Sequence, residues 1–423
     1  MKIYHKFLLY QNKWIHPYVR MTVGVMTSIT YLASILLIVG VVYEHGFTIS
    51  EVEAHQLQRL YHGVWIVFLV DVTLRILLEY KDTRRTFSKL TWILTILLYL
   101  TLIPVIFHRP EEEGAILQFW EFLHGKAYHL VLLLVFSFFS LSNGLVRLLG
   151  RRTNPSLILA ASFLIIIMIG TGLLMLPRCT TNGISWVDSL FISTSAVCVT
   201  GLTSVDVAST FTPTGFVVII LLIQIGGLGV VTVAAFFAML SGRKISLMQR
   251  STMQDAISAP KVGGIVRLTR FIVRGTFLIE LIGMIVMLPT FCRNFGIKGI
   301  WMAAFHSISA FCNAGVDILG TAENKYPSLT GYIGNPAINI TIMLLIIVGG
   351  IGFLTWDDIY TNKWHFKKYR MQSKVILVTT AILIIAPAVF FFFCDFTGLP
   401  LAERILASLF QSVTPRTAGF NTA

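Results

Sequence analysis

Three times in this chain, an apolar run long enough to cross a bilayer is followed by a half-length apolar run ending in a short polar hairpin. The hairpins are Val197-Cys198-Val199-Thr200-Gly201-Leu202, Cys312-Asn313-Ala314-Gly315-Val316 and Arg416-Thr417-Ala418-Gly419-Phe420, each with one glycine at its apex. The apex glycines are separated by 114 and 104 positions (315−201 and 419−315), so the chain is internally repetitive. A half-length run cannot cross a hydrocarbon core and must leave by the face it entered. Non-helical backbone at that depth is tolerated only where protein surrounds it or where it lines a watery path. Few folds satisfy that condition three times over.

Composition places those runs in a membrane. Hydrophobic residues are 55% and charged residues 13% of 423, with mean hydropathy +0.77, against about 25% charged residues in soluble domains. The expected fold class is an all-α polytopic membrane protein built from repeated span, re-entrant loop and span units. The net charge of +13 does not point to nucleic acid, because Lys and Arg gather in short loops on one predicted side, the positive-inside pattern. The five cysteines lack CxxC spacing, which argues against a zinc site or redox pair. The first apolar run, 22–43, is too long for the h-region of a cleaved signal peptide.

Four spans precede the repeats, at 22–43, 61–79, 88–107 and 127–148. Lys2, Lys6, Lys13 and Arg20 come before the first. Glu44, Glu51 and Glu53 follow it, Lys81, Arg84, Arg85 and Lys89 follow the second, Glu111–Glu113 the third, and Arg147, Arg151 and Arg152 the fourth. This alternation fits four spans with the N-terminus in the cytoplasm, and the expected location is the inner (cytoplasmic) membrane as a multi-pass protein. Asp71 and Arg75 sit inside the second span at i,i+4, where they neutralise each other on one helix face. Voltage sensing would need arginines spread through the fourth span, which instead reads Leu130 to Phe139 without one. Residues 1–153 are therefore expected to form a packing or assembly extension, and 154–423 the repeated region. Its repeats cover about 154–245, 262–360 and, in part, 372–423. The long returning spans are expected at 214–240 and 336–356, with Gln224-Ile225-Gly226-Gly227-Leu228-Gly229 and Gly349-Gly350-Ile351-Gly352-Phe353 inside them. The basic loops 243–270 and 363–374 share a side only if each half-span dips in and out, which puts all three hairpins outside.

The hairpins suit a dehydrated monovalent cation. An apex glycine admits backbone angles that turn successive carbonyls toward one axis, and rings of carbonyls replace an ion's hydration shell. Each preceding half-helix aims its partly negative C-terminus the same way. A set of Asp or Glu ligands is lacking, which disfavours a divalent ion. Thr200, Asn313 and Thr417 add polar side chains, while Ser193 and Ser195 are read as holding the loop by local hydrogen bonds.

These segments resemble the Trk/Ktr/HKT superfamily of potassium transport proteins. Ser195–Leu202, Phe311–Gly315 and Gln411–Asn421 match its first three pore loops, and Gln224–Gly229 and Gly349–Phe353 its glycine-rich second helices. The similarity runs from about 155 to 423. It implies four repeats around one pore, with a filter here drawn from Val199, Thr200, Gly201, Asn313, Ala314, Gly315, Thr417, Ala418 and Gly419 holding K+. Gly201, Gly315 and Gly419 fit the potassium-selective form rather than the Ser-bearing sodium form. The resemblance further implies a homodimer, a cytoplasmic nucleotide-binding regulatory subunit, no covalent cofactor, and transport in which coupling to Na+ or H+ stays open. It also implies that these residues are a fragment, with the second helix of repeat 3 and all of repeat 4 beyond Ala423.

Around the filter, Cys198 and Cys312 are expected as packing support. Arg416 is expected behind its loop, bonding loop carbonyls or a neighbouring acid. Asp206 and Asp317 are expected at the outer rim, either concentrating cations or simply solvated. Glu280, inside the span 271–290, is read as a contact to a neighbouring repeat or as a transport residue, and His306 as structural. An enzyme is disfavoured: the chain holds neither HExxH nor paired intramembrane acids, and Gly226–Gly229 follows no strand as a phosphate loop would. The alternative to transport is a non-conducting assembly or sensory module.

Overall fold

The computed structural model describes residues 16–78, 83, 87, 89–106, 115–149, 155–229, 232–233, 265–321, 323–363 and 365–422. The basic stretch through Lys13, the loop cations Lys81, Arg84, Arg85, Arg151, Arg152, Arg243, Lys244, Arg250 and Lys261, and the acids Glu111–Glu113 lie outside them. Among the described residues the regular structure is helical, with one isolated antiparallel bridge between Thr180 and Phe211. Four helices are long and apolar enough to cross a membrane, within Met21–Gly46, Glu51–Leu78, Val266–Phe295 and Met371–Cys394, and two bent helix pairs have span-like composition. The chain is an all-α polytopic membrane protein. Two compact units separate near Thr153 and Asn154.

The first unit contains α1 (His16–Gly46), α2 (Glu51–Leu78), α3 (Lys89–Leu100), α4 (Ile103–Ile106), α5 (Ala115–His124) and α6 (Lys126–Leu149). Leu37, Phe68, Leu98 and Leu133 form its dry centre. Asp71 and Arg75 pair as their spacing requires, at 2.9 Å, and the Arg75 guanidinium also donates to Thr27 Oγ1 on α1 at 2.6 Å. The third expected span is interrupted: α3 stops at Leu100 and α4 starts at Ile103, where Pro104 enters at its second position. Proline lacks the N–H that would continue the ladder. Thr101 at the break accepts from Trp65 Nε1 on α2 at 2.7 Å.

The second unit carries the repeats. Repeat 1 is α7 (Pro155–Leu174), half-helix α8 (Trp186–Cys198), the short α9 (Val207–Thr210) and α10 (Pro213–Leu228). Repeat 2 is α11 (Ile265–Phe295), half-helix α12 (Lys298–Phe311), α13 (Pro336–Gly350) and α14 (Phe353–Asn362), and α15 (Met371–Cys394) with half-helix α16 (Leu401–Val413) follows. At 13, 14 and 13 residues, the half-helices reach roughly 20 Å, short of the ~30 Å core. Thr212 and Asn335 each accept from the N–H three residues on, with Pro213 and Pro336 at the first helical position. Ser193 on α8 donates to the Ile167 carbonyl at 2.8 Å, and Ser307 on α12 to the Glu280 carbonyl at 2.6 Å. The first two half-helices are thereby pinned to their own spans.

The returning spans differ from their expected form. Both helices break at the last glycine of the GGxG run: α10 ends at Leu228 with Gly229 at φ 79, and α13 ends at Gly350 with Gly352 at φ 82. A left-handed residue cannot extend an α-helical ladder, and α14 leaves at 96° to α13. Trp356 Nε1 donates to the Val348 carbonyl at 2.8 Å, satisfying a group that the break leaves bare. One cluster, including Val197, Ile223, Phe305 and Ala314, joins repeats 1 and 2, and another, including Phe311, Ile342, Phe410 and Phe420, joins repeats 2 and 3.

Candidate ion-binding site

Each half-helix ends by folding its loop N–H groups back onto its own last turn. Val199 and Thr200 donate to the Ser195 carbonyl, the latter at 2.9 Å. Asn313 donates to Ala310 at 3.1 Å and Ala314 to Ser309 at 2.8 Å. Ala418 and Gly419 donate to Thr414 at 3.1 and 3.2 Å. Hydroxyls close the same turns. Ser309 Oγ donates to the Val316 carbonyl at 2.8 Å, Thr414 Oγ1 to the Phe420 carbonyl at 2.5 Å, and Thr200 Oγ1 to Ser195 Oγ at 3.0 Å. Ser195 thus holds its own loop locally, whereas Ser193 bonds not the loop but the Ile167 carbonyl of α7.

With the N–H groups turned inward, the carbonyls are left over. Among the described residues, none of the carbonyls of Val199, Thr200, Gly201, Asn313, Ala314, Gly315, Thr417, Ala418 and Gly419 accepts a hydrogen bond from protein. The three loops also meet. A Cβ placed on Gly201 would overlap the Ala314 carbonyl oxygen, and one on Gly315 would overlap the Ala418 carbonyl oxygen. Oriented to satisfy its neighbours, the Asn313 amide donates to the Ile346 carbonyl at 3.1 Å and to Thr417 Oγ1 at 2.9 Å, and accepts from Gly350 N–H at 3.3 Å. The backbone alternates hand to achieve this: Val199 and Gly201 stand at φ 56 and 72, Asn313 and Gly315 at φ 61 and 66. The three loops thus bring carbonyls without a protein donor close together at the C-termini of half-helices, chemistry suited to a cation. No group of three or more His, Cys, Asp or Glu among the described residues is arranged to hold a metal ion.

The surrounding residues sort less simply. Cys312 Sγ packs against Gly227, so closely that a Cβ there would lie 2.6 Å away, whereas Cys198 is exposed. Arg416 does turn behind its loop, but its partner is neither a loop carbonyl nor an acid: it donates to Thr380 Oγ1 on α15 at 3.0 Å. Asp206 is not a solvated rim residue. It is 6% exposed, caps α9 through the Ser209 N–H at 2.9 Å, and accepts from the Tyr326 N–H at 3.2 Å, tying the segments after the first and second loops together. A short loop acid three residues before an N–H is a capping signature, and that signal was present in the sequence. Asp317 is half-buried and accepts from the Leu319 N–H at 3.1 Å. Burial, reinforced by the neighbouring Asp206 charge, raises its carboxyl above the usual range. His306 is fully buried, its Nδ1 lies 2.8 Å from the Met302 carbonyl, and its ring stacks on Phe291 at 5.2 Å.

The loops' backbone and their glycine-rich supports lie within a stretch that known proteins share. Residues 148–423 match the TrkH family, described as cation transport protein. The chain belongs to the TrkH cation transport family. Over 279 residues, 64% of this chain and 61% of the relative, it is 38% identical to "Ktr system potassium uptake protein B" of Bacillus subtilis (strain 168). It is likewise 38% identical over 278 residues to "Potassium/sodium uptake protein NtpJ" of Enterococcus hirae, covering 64% of this chain and 60% of that one. A "Ktr system potassium uptake protein B" of Vibrio alginolyticus is 32% identical over 282 residues, with 64% and 60% covered. The chain spans about three fifths of the length of these curated relatives.

Within this TrkH-family region, Val199 was expected among the filter residues, but its backbone angle was not. A β-branched residue at φ 56 is strained by about 1–3 kcal/mol, and no sequence pattern signals it. Replacing Val199 with glycine is expected to raise the thermal midpoint of the purified protein by a few degrees while relaxing ion discrimination, because ~1 kcal/mol of strain leaves the folded state. Thermal unfolding in detergent, with paired potassium and sodium uptake, checks both halves. A lowered midpoint would mean that the φ angle is not costly here.

Proposed function

We propose that the protein is the membrane subunit of a potassium uptake system in the cytoplasmic membrane, conducting K+ through a filter of backbone carbonyls. The observation that carries this is the close approach of three loops whose carbonyls, in Val199–Gly201, Asn313–Gly315 and Thr417–Gly419, accept no hydrogen bond from the described protein residues, which offers oxygen ligands without fixed negative charge. The relatives' names, potassium and potassium/sodium uptake proteins, support the same reading. Residues 154–423 supply the pore-forming region and 1–153 an extension, with the N-terminus cytoplasmic and the loops facing out. The membrane potential drives entry, with coupling to Na+ or H+ as a further variable. A second copy and a cytoplasmic nucleotide-binding subunit complete the system.

The test is the full-length protein in cells lacking their own potassium uptake. Saturable K+ uptake well above Na+ uptake is expected, and equal uptake of both ions, or none, would sink the proposal. A pH effect should accompany it. The raised Asp317 carboxyl protonates at a higher pH than an ordinary carboxylate, so the outer mouth loses negative charge on mild acidification. Apparent K+ affinity is expected to weaken as external pH falls from about 7 to about 5, near and above the ordinary carboxylate range. Asp317→Asn should flatten that dependence.

A further inference from the structure

Glu280 sits in α11 at 4% exposure. Its side-chain partner among the described residues is Gln224 Nε2 on α10, at 3.0 Å. No ion pair reaches it among those residues. Gln224 Oε1 is buried and has no donor. Helices α10 and α13 carry no ionisable side chain. Half-helix α12 contributes only Lys298 and His306, with the thiol of Cys312 just past its end.

A carboxylate here leaves two faults: an unpaired buried charge, and a buried amide oxygen with no donor. One proton removes both. A neutral carboxylic acid presents an acceptor and a donor side by side, which is the complement of a carboxamide's N–H and C=O edge.

The repeats show that simple packing does not require such a pair. Gln224 and Ile347 both stand two residues before the glycine set against a half-helix carbonyl, Gly226 under Val197 and Gly349 under Phe311. Advancing Glu280 by the loop spacing of 104 positions reaches Ile384. Ile347 and Ile384 are partly buried in the cluster that joins repeats 2 and 3. The junction of repeats 2 and 3 is thus apolar where that of repeats 1 and 2 carries the acid and amide. The polar pair also lies close to the filter supports. The Glu280 carbonyl accepts from Ser307 on α12 at 2.6 Å, and Gly226 and Gly227, just past Gln224, abut Val197 of the first loop and Cys312 of the second.

We propose that Glu280 is held as a neutral carboxylic acid that donates its proton to Gln224 Oε1, and that this two-bond acid–amide clasp positions the first filter loop against the second. Glu280 and Gln224 are positioning residues; neither touches the ion. Only the uptake arm of the test rests on the potassium reading.

Infrared difference spectra of the purified full-length protein at neutral pH, wild type minus Glu280→Gln, are expected to show the C=O band of a protonated carboxyl, shifted in deuterated water. Loss of carboxylate bands in its place overturns the proposal whether or not the protein transports. In uptake assays Glu280→Gln keeps two hydrogen bonds and should hold the K+/Na+ ratio within about twofold of wild type, whereas Glu280→Asp, with its shortened carboxyl, should lower it about tenfold. The reverse order would mean that negative charge is what matters. The double variant Glu280→Ile with Gln224→Ile reproduces the apolar pair of the other junction and guards against misfolding. It should unfold no earlier than wild type yet lose selectivity, and a wild-type K+/Na+ ratio in it would reduce the clasp to packing and refute the positioning role.

Discussion

Substituting serine for Gly315 or Gly201 should abolish preference for potassium in the full-length protein, by a factor of 100 or more in the K+/Na+ uptake ratio, or about 2.7 kcal/mol. Two costs combine. The glycines stand at φ 66 and 72, where an L-residue loses roughly 1–2 kcal/mol. The larger cost is steric, because a Cβ on Gly315 meets the Ala418 carbonyl oxygen and one on Gly201 meets that of Ala314. Those oxygens belong to the backbone of the neighbouring loop, so relief requires moving a carbonyl proposed to face the ion. Sodium uptake rises relative to potassium as the carbonyls lose their spacing. Parallel rubidium and sodium flux measurements, with surface expression matched, decide the matter. An unchanged ratio in both variants would mean that these loops do not discriminate between ions.

The second large effect is expected one layer behind the filter. Gly349→Ala should destabilise the protein by about 3 kcal/mol, at the upper end of overpacking costs, because the added methyl overlaps the Phe311 carbonyl oxygen. Gly226→Ala does the same against the Val197 carbonyl. These carbonyls end half-helices pinned by Ser307 and Ser193, and cannot retreat without dragging the loops. Gly172 in α7 is the control, with nothing within 4 Å of its Cβ position and ordinary helical angles. Its replacement by alanine should be neutral or stabilising by up to ~1 kcal/mol. Thermal unfolding of the three variants measures the contrast, and equal midpoints for Gly349→Ala and Gly172→Ala would refute close packing behind the loop.

Much of this was legible in the residues alone. Runs too short to cross, each followed by a polar turn with one glycine, leave little besides a re-entrant loop, because hydrocarbon supplies no partner for bare N–H and C=O groups. The same rule makes the pattern visible without knowing any contact. The Asp71–Arg75 pair was legible too, since i,i+4 geometry is local. The positions of Ser193 and Ser195 in otherwise apolar half-helices already called for hydrogen-bond partners.

What the sequence by itself determined was therefore everything set by local period and by the solvent: helical class, repeat unit, half-spans and the glycine apices. What only the tertiary structure decided was everything set by a partner far along the chain. It bent α13 at Gly352, since nothing in GGIG says which glycine turns left-handed until α14 has somewhere to pack. It buried Asp206 under Tyr326, 120 residues away, where a sequence reading leaves an acid in water. It turned Arg416 to Thr380 and joined Glu280 to Gln224 across a repeat boundary. A charged or amide side chain has no fixed preference for a site, only for a partner, and partners are chosen when the repeats pack.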